Sequence, residues 1–396
     1  MKQGWVEKKL GQILQIERGG SPRPIKKYLT DDPDGLNWIK IGDATASTKY
    51  IYHTKQKITK DGLHKTRLVK EGDFILSNSM SFGKPYIMKT TGCIHDGWLV
   101  LKEKDGFKLN QDFLYHLLCS PYLFKQFDGL AAGSTVRNLN IALVSSVTVR
   151  VPPLEEQKQI VAKLDQCFEA IDKARANAVK NLENAKELFQ SKLNDIFSQK
   201  GEGWVEKKLG EISDVTYGFT DKSVEVGDFR YVRITDIDNN GELISTGKKY
   251  IGSSKDGKKF ILKDNDILMA RTGATFAKLL LYKDIEPSIF ASYLIKIDFT
   301  ESIDNEFYWF YAKSNSYWDQ ANTLSTGSAQ PHFNGKALKQ VLFPYPVSKT
   351  EQSRLINEFK RFQSKTQSLE SKYQQELNSL EELKKSILQK AFEGEL

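Results

Sequence analysis

The chain has 396 residues, 39% of them hydrophobic and 27% charged, a composition typical of a folded protein with two or three domains. It has no apolar run of about 18 residues and no apolar segment near its start, so we expect neither a membrane span nor a secretory signal. The three scattered cysteines predict a reduced, cytoplasmic location, and the net charge of +8 favours a polyanionic partner such as nucleic acid.

An internal repeat divides the chain. Residues 4–13, GWVEKKLGQI, return at 203–212 as GWVEKKLGEI, with Gln12 and Glu211 as the one difference. A match this close indicates duplication. Further pairs follow in the same order: 38–43 with 231–236, 71–76 with 264–269, 113–115 with 307–309, Gly133-Ser134 and Asn140 with Gly327-Ser328 and Asn334, and Pro153, Glu156, Gln157 and Ile160 with Pro346, Glu351, Gln352 and Leu355. Between these anchors the inserts differ freely, as expected of a binder that recognises two different things.

A long helix follows the first globular part. After Pro152-Pro153 there is no proline or glycine until Gly201, and about 45 helical residues would span roughly 65 Å. Apolar residues at alternating steps of four and three predict a coiled-coil seam, with a phase slip near Asn181. The predicted seam residues are Ile160, Leu164, Cys167, Ile171, Ala174, Ala178, Leu182, Ala185, Phe189, Leu193 and Ile196.

The last stretch, 349–396, has the same character and no glycine until Gly394. Its predicted seam is Leu355, Phe359, Phe362, Thr366, Leu369, Tyr373, Glu376, Leu380, Leu383 and Ile387. Pairing of the two helices with each other is the simplest arrangement, because both are present in one chain at high effective concentration. The alternative is that each helix pairs with another copy of the protein.

The fold class predicted from these patterns is α+β, with an internal duplication. The expected boundaries are 1–151 and 201–348 for two strand-rich domains, and 152–200 and 349–396 for the long helices. In the first domain, Gly4 to Ile16 is predicted to form a strand. Asn110 is the predicted N-cap of a helix that runs through Cys119.

Motifs of several enzyme classes are missing from the sequence. It has no phosphate-binding loop, no dinucleotide fingerprint and no nucleophile elbow, and its five histidines lack metalloprotease spacing. Cys93, His95 and Asp96 are the nearest approach to a metal-ligand cluster, without a second pair at a usable spacing. We therefore expect a non-catalytic chain without a metal or cofactor of its own.

Polar, cationic and aromatic residues recur on loops at matching points of the two repeats. Arg and Lys contact guanine edges or phosphates, Asn and Gln recognise adenine, and Ser and Thr do either. The candidate DNA-binding residues are Arg18, Ser21, Arg23, Asn78, Ser79, Ser81, Lys84, Tyr86, Arg137 and Asn138 in the first repeat, and Tyr217, Thr220, Lys222, Arg271, Thr272, Thr275, Lys278, Gln330 and His332 in the second. Residues 307–311, FYWFY, could stack single-stranded bases, but their place in a predicted helix favours core packing.

This combination closely resembles the specificity subunit of type I restriction-modification systems, over essentially the whole chain. The resemblance depends on the two long helices, the Gly-Ser loops, the proline-rich exits with Glu-Gln, and the C-terminal segment 383–396, LKKSILQKAFEGEL. It implies two target recognition domains, each reading one half of a bipartite DNA site. It also implies that the helices pair antiparallel and set the gap between the half-sites.

The resemblance further implies protein partners that carry the chemistry. Two modification subunits would bind S-adenosylmethionine and methylate adenine, and restriction subunits would use ATP and Mg²⁺. An antiparallel helix pair relates two repeats by an approximate two-fold axis, so half-sites on one face of DNA would lie about one helical turn, roughly 34 Å, apart. The unlike inserts predict an asymmetric target. Alternatives are a recognition module of another restriction-modification class, a methylation-only complex, a structural coiled-coil protein, or a self-contained enzyme.

Overall fold

The computed structural model describes residues 3–45, 47–78, 82–131, 138–252, 257–326 and 332–396. The chain divides into two compact units, one made of residues 1–178 and 375–396 and the other of residues 179–374. Each unit therefore combines one globular part with a portion of both long helices. Its mixture of strands and helices confirms the α+β class.

The first unit contains twelve strands in its described residues: β1 (Val6–Lys9), β2 (Leu14–Arg18), β3 (Leu29–Thr30), β4 (Leu36–Ile39), β5 (Tyr50–Ile51), β6 (Gln56–Ile58), β7 (Arg67–Val69), β8 (Phe74–Ser77), β9 (Pro85–Met88), β10 (Gly92–Ile94), β11 (Trp98–Glu103) and β12 (Thr148–Val151). Its helices are α1 (Leu10–Ile13), α2 (Ile41–Ala44), α3 (Gln111–Cys119), α4 (Pro121–Ala131), α5 (Ile141–Ser146) and the start of the long helix α6 (Leu154–Gln199). Short 3₁₀ turns lie at Ile25–Lys27 and Lys60–Lys65.

Two five-stranded sheets form the body of the first unit. Their strand orders are β3-β6-β4-β10-β7 and β2-β11-β8-β9-β5, and the pairs β4–β10 and β5–β9 are parallel. A separate antiparallel ribbon joins β1 to β12, with Val6 opposite Val151. This ribbon brings the beginning and the end of the globular part together at the start of α6. Helix α3 is capped as predicted, because the Asn110 side chain accepts a hydrogen bond from Phe113 N.

The predicted strand from Gly4 to Ile16 is wrong in the middle, where α1 interrupts it. Leu10 and Ile13 are both fully buried, and a helical turn places residues three apart on one side whereas a strand would place them on opposite sides. Gly11 lies in this turn against α5, where a Cβ atom would come within 2.7 Å of Ser145 Cβ. The second unit repeats the interruption after its first strand.

The second unit contains nine strands in its described residues: β13 (Trp204–Lys208), β14 (Ser213–Tyr217), β15 (Phe229–Val232), β16 (Tyr250–Ile251), β17 (Ile267–Ala270), β18 (Leu279–Leu281), β19 (Ser288–Phe290), β20 (Leu294–Phe299) and β21 (Leu342–Pro346). Its helices are α7 (Leu209–Ile212), α8 (Asn305–Tyr311), α9 (Asn315–Leu324), α10 (Gly335–Leu338) and the start of the long helix α11 (Lys349–Glu393). Its 3₁₀ turns lie at Ile234–Asp236, Gly257–Phe260 and Gly273–Thr275.

The sheets of the second unit follow the plan of the first. Strand orders are β14-β20-β17-β18 and β16-β15-β19, and the ribbon β13–β21 matches β1–β12. Helix α8 carries residues 307–311, all buried in an aromatic core with Phe343 and Phe359. This burial confirms core packing for the FYWFY segment.

The long helices pack against each other in antiparallel fashion. In the first unit, Lys384 Nζ lies 3.4 Å from Asp172 Oδ1 and 4.8 Å from the centroid of the Phe168 ring, so an early part of α6 meets a late part of α11. In the second unit, Lys192 Nζ lies 3.2 Å from Glu358 Oε1, which joins a late part of α6 to an early part of α11. Within the described ranges, no helix is both long and apolar enough to cross a membrane.

Nine of the 21 predicted seam residues are buried, ten are half-buried, and Glu376 and Leu383 are exposed, and the seam shifts by one residue at its ends. The buried seam positions are Ile160, Leu164, Ile171, Ala178, Ala185 and Leu193 of α6 and Leu355, Phe359 and Thr366 of α11. Phe197 is buried beside the half-buried Ile196, Leu388 is buried beside the half-buried Ile387, and Leu383 is 47% exposed. An α-helix drifts by about 20° per heptad relative to a seven-residue repeat, which accounts for the shift.

Candidate nucleic-acid interface

The loop after β2 in the first unit and the loop after β14 in the second are held by equivalent main-chain hydrogen bonds. Gly19 N donates to Trp98 O at 2.9 Å, and Gly218 N donates to Leu294 O at 3.1 Å. A Cβ atom on Gly19 would lie 2.1 Å from His95 O, and one on Gly218 would lie 2.2 Å from the corresponding carbonyl, so both positions require glycine. This equivalence places Arg18, Ser21 and Arg23 at the positions of Tyr217, Thr220 and Lys222.

Asn78 and Arg271 are equivalent in the same way. Asn78 N donates to Gly97 O at 3.0 Å, and its carbonyl accepts from Leu139 N at 2.8 Å. Arg271 N donates to Tyr293 O at 3.0 Å, and its carbonyl accepts from Phe333 N at 2.8 Å. The loops that follow β2 and β8 therefore meet at residues 95–97 in the first unit, and the loops that follow β14 and β17 meet at residues 291–293 in the second.

In the first unit this convergence is organised by Asp96. Its Oδ1 accepts a hydrogen bond from Ser21 Oγ at 2.6 Å, and its carbonyl accepts from Arg18 Nε at 3.1 Å and from Asn78 Nδ2 at 2.8 Å. Arg23 lies 3.8 Å from the other carboxylate oxygen and is largely exposed. The hydrogen bond from Ser21 holds the pKa of the Asp96 carboxyl below its usual range. The sequence hypothesis omitted Asp96 from the DNA-binding residues.

His95 extends this cluster toward a concave surface. Its Nδ1 accepts from Gly97 N at 2.8 Å, its Nε2 accepts from Ile41 N at 3.2 Å, and burial lowers its pKa. The adjoining cavity has a volume of about 880 Å³ and includes Ser21, Arg23, Trp38, Lys40 and His95 in its lining. Cys93 is buried in a separate hydrophobic cluster, so it does not complete a ligand set with His95 and Asp96.

In the second unit the same place is occupied by an arginine between two tyrosines. The Arg271 guanidinium carbon lies 5.5 Å from the Tyr217 ring centroid and 5.3 Å from the Tyr293 ring centroid. Tyr217 is 41% exposed and Tyr293 is 52% exposed. The position of Asp96 is taken by Ser292, so a cation flanked by aromatic rings replaces the carboxylate network.

Comparison with protein families identifies the family to which the two repeats belong. The family model for the type I restriction modification DNA specificity domain matches residues 2–181 and again residues 201–379. The chain belongs to the type I restriction-modification specificity subunits. The two matched segments correspond to the two repeats, so each repeat is one specificity domain.

Individual specificity subunits are similar along much or all of the chain. The StySPI specificity subunit of Salmonella potsdam is 23% identical over 73% of this chain and 66% of that subunit. The MjaVIII specificity subunit of Methanocaldococcus jannaschii is 23% identical over 99% of this chain and 93% of that subunit. One solved chain comes from a study of complex assembly and conformational transition in the type I restriction-modification system. It is 19% identical with a TM-score of 0.78, and the match covers 100% of this chain and 99% of that one. The structural likeness shows the same fold.

Several predicted contact residues of this specificity subunit are buried. Asn78 is 1% exposed with its amide engaged on Asp96 O, and Tyr86 is 3% exposed with its ring 5.7 Å from that of Trp98. Thr272 is 5% exposed. Since a side chain must reach the surface to touch DNA, burial favours a structural role for these three residues.

The remaining predicted residues have diverse surroundings. Thr220, Lys222 and His332 are exposed, as is Lys84, whose Nζ lies 5.1 Å from the Tyr86 ring centroid. Thr275 Oγ1 donates to Ile234 O at 3.4 Å, Lys278 Nζ donates to Asn239 Oδ1 at 3.2 Å, and Asn138 is half-buried. The predicted residues Ser79, Ser81, Arg137 and Gln330, and the predicted Gly-Ser loops, lie outside the described residues.

Proposed function

We propose that each unit reads one half of an asymmetric, bipartite DNA site. The observation that carries this proposal is the placement of unlike side chains on one shared loop frame. In the first unit the frame presents Arg18, Ser21 and Arg23 around Asp96, and in the second it presents Arg271 between Tyr217 and Tyr293. One frame with two sets of hydrogen-bonding groups suits two different sequences of base edges.

The helix pair serves as the spacer in this proposal. Each globular part is joined to the helices through its own hydrophobic core, because Phe113 packs against Phe392 in the first unit and Phe307 packs against Phe197 in the second. A domain that shares its core with a helix follows that helix as a rigid body. The length of the antiparallel pair then determines how many base pairs separate the two half-sites.

The chemistry in this proposal belongs to partner subunits. Two modification subunits dock on the helices and domains, bind S-adenosylmethionine and methylate adenine, and restriction subunits supply ATP- and Mg²⁺-dependent translocation and cleavage. The chain itself contributes recognition, without catalysis or a cofactor of its own, in the cytoplasm. Support comes from the family match and from the likeness to a chain solved as part of a study of such an assembly.

A domain exchange tests the two-reader proposal. Residues 15–150 are replaced by the corresponding segment of a related specificity subunit, and methylated adenines are mapped in DNA from cells that carry the chimera and its modification partner. We expect one half-site to change and the other half-site and the gap to persist. A change in both half-sites would reject the proposal. Specific, salt-dependent retardation of target DNA by the native complex separates recognition from a purely structural role.

A further inference from the structure

We propose that Arg271, held between Tyr217 and Tyr293, reads a guanine in the half-site of the second unit. This inference rests on the proposed function and adds a base and a residue to it. The guanidinium carbon lies 5.5 Å and 5.3 Å from the two ring centroids. These distances are within the range of cation–π contacts, which for arginine also include stacking of the planar group on an aromatic face.

Arg271 and the two tyrosines are together called the clamp. Main-chain and side-chain hydrogen bonds fix its position. Arg271 is bonded through its own N–H to Tyr293 O and through its own carbonyl to Phe333 N. The hydroxyl of Tyr217 accepts a hydrogen bond from Gly335 N at 2.8 Å, which fixes that ring. A side chain that is already ordered loses little conformational entropy on binding, so the clamp is preorganised for a ligand.

Among the described residues of 201–348, Arg271 is the one arginine without a carboxylate partner. Arg230 is paired with Asp284 at 3.0 Å, and Arg233 is paired with Asp236 at 2.7 Å. Those two pairs have structural roles, since Arg230 is 2% exposed and Asp236 is 4% exposed. Arg271 is instead half-buried beside two tyrosines that are about half exposed, where a ligand can reach it.

The chemistry of the ligand follows from the geometry of the clamp. Rings near the faces of a guanidinium leave the N–H groups in its plane for hydrogen bonding, and these groups form a rigid fork. In the major groove, guanine offers two acceptors, O6 and N7, at the spacing that this fork matches. A backbone phosphate also offers two oxygens to such a fork. The clamp therefore suits a paired acceptor. We assign that acceptor to guanine because the proposed function gives this loop frame to base reading, and the salt series described below tests the phosphate alternative.

At the matching positions, the described residues of the first unit form no equivalent clamp. Its matching position is Asn78, which is buried, and the positions of Tyr217 and Tyr293 are held by Arg18 and Gly97. The guanine requirement should therefore occur in one half-site only. It should be the half-site that is exchanged when the second globular part is exchanged.

The test compares Arg271→Ala and Arg271→Lys with the native chain, each assembled with its modification subunits. The native target is first mapped from methylated adenines. Affinities are then measured for that target and for variants substituted at each base pair of the half-site, over a series of salt concentrations. One bidentate contact is worth roughly a 5- to 150-fold preference for guanine. We expect both variants to lose this preference at a single guanine, since lysine keeps the charge but not the fork.

Two results would overturn the assignment. The first is a native target without a guanine in that half-site. The second is an Arg271→Ala complex that is weakened equally on all sequences, with the slope of log affinity against log salt reduced by about 1, as expected of a phosphate contact. Lys283→Ala is the matched control, because it removes one exposed cation of the same unit, whose Nζ donates to Asn265 Oδ1, and it should keep the native base preference. If the native complex showed no sequence-specific binding at all, the proposed function itself would fail.

Discussion

Gln157 and Gln352 make the same three hydrogen bonds in the two units. The amide of Gln157 donates to Pro152 O at 3.0 Å and Lys108 O at 3.4 Å, and its Oε1 accepts from Asn110 N at 2.8 Å. The amide of Gln352 donates to Pro346 O at 2.9 Å and Ser302 O at 3.1 Å, and its Oε1 accepts from Asp304 N at 2.7 Å. Each glutamine therefore joins the end of a globular part to the first turn of a long helix.

Replacement of Gln157 by alanine should destabilise the first unit. The side chain is 1% exposed, so the substitution leaves buried main-chain groups without partners, at a cost of about 1–3 kcal/mol in the free energy of unfolding. Urea unfolding measures the effect. Gln159→Ala, an exposed glutamine on the same helix, is the control and should have little effect. Equal stability of the two variants would show that the hydrogen bonds of Gln157 contribute nothing net.

Gly19→Ala should disrupt the loop that carries Arg18, Ser21 and Arg23. Its Cβ atom would lie 2.1 Å from His95 O, a contact that the backbone must move to relieve. We expect a loss of about 1–3 kcal/mol in the free energy of unfolding, together with loss of recognition of one half-site. Urea unfolding and binding to substituted targets check the two effects.

The control for this substitution is Gly129→Ala. Gly129 lies in α4 with open space at its Cβ position, so alanine there should be neutral or slightly stabilising. If the Gly19 variant bound both half-sites with native preference, the close approach of the loop to His95 would not matter for recognition.

Lys313 introduces a dependence of stability on pH. Its Nζ lies 3.3 Å from the Trp309 ring centroid, and burial lowers its pKa to about 8 against the opposing influence of Glu242 and Asp238. In the unfolded chain the lysine has its ordinary pKa, near 10.4. Above pH 8 the Lys313 ammonium therefore loses its proton in the folded chain while it keeps the proton in the unfolded chain. The contribution to stability therefore rises with pH between about 8 and 10.

A comparison of the native chain with Lys313→Met isolates this effect. The free energy of unfolding of the native chain, relative to the variant, should rise by about 2 kcal/mol between pH 8 and pH 10. Urea unfolding at a series of pH values measures the difference. Between pH 6 and pH 7 the difference should be constant, and parallel curves up to pH 10 would contradict the lowered pKa.

Lengthening both long helices by seven residues should widen the gap in the DNA target. Insertion of one heptad after Ala178 and one after Gln374 preserves the seam and adds about 10 Å, or roughly three base pairs. Mapped methylation sites should show both half-sites unchanged and a longer spacer between them. A changed half-site, or an unchanged gap, would count against the helices as the spacer.

The long helices and the duplication were predictable because their signals are periodic. An apolar seam over many turns and a ten-residue repeat each combine many residues, so no single substitution hides them. The N-cap Asn110 was predictable for a related reason, since capping depends on local sequence, whereas the N-caps Asn140 and Asn334 were noted only as a matching pair of the repeat. The exposure of Leu383, a predicted seam residue, was not predictable, because the position of the seam there depends on how α11 packs against the first globular part.

The candidate binding loops were only partly predictable. Polar residue type indicated Arg18, Ser21 and Arg271, which do lie at the converging turns. It did not reveal that Asn78 and Tyr86 are buried, because sequence alone does not show which face of a short strand or loop turns inward. Asp96 and Tyr293 were missed since each acts through contacts with residues far away in the chain. The His95-Asp96 pair was the one signal that pointed to this turn.

The two hydrogen bonds that Asn78 and Arg271 have in common are made by their main-chain atoms. These main-chain bonds place no demand on the identity of the side chain, so an amide and a guanidinium occupy the position with equivalent main-chain hydrogen bonds. The side chain at this anchor can therefore change by a single substitution while the inherited backbone frame stays intact.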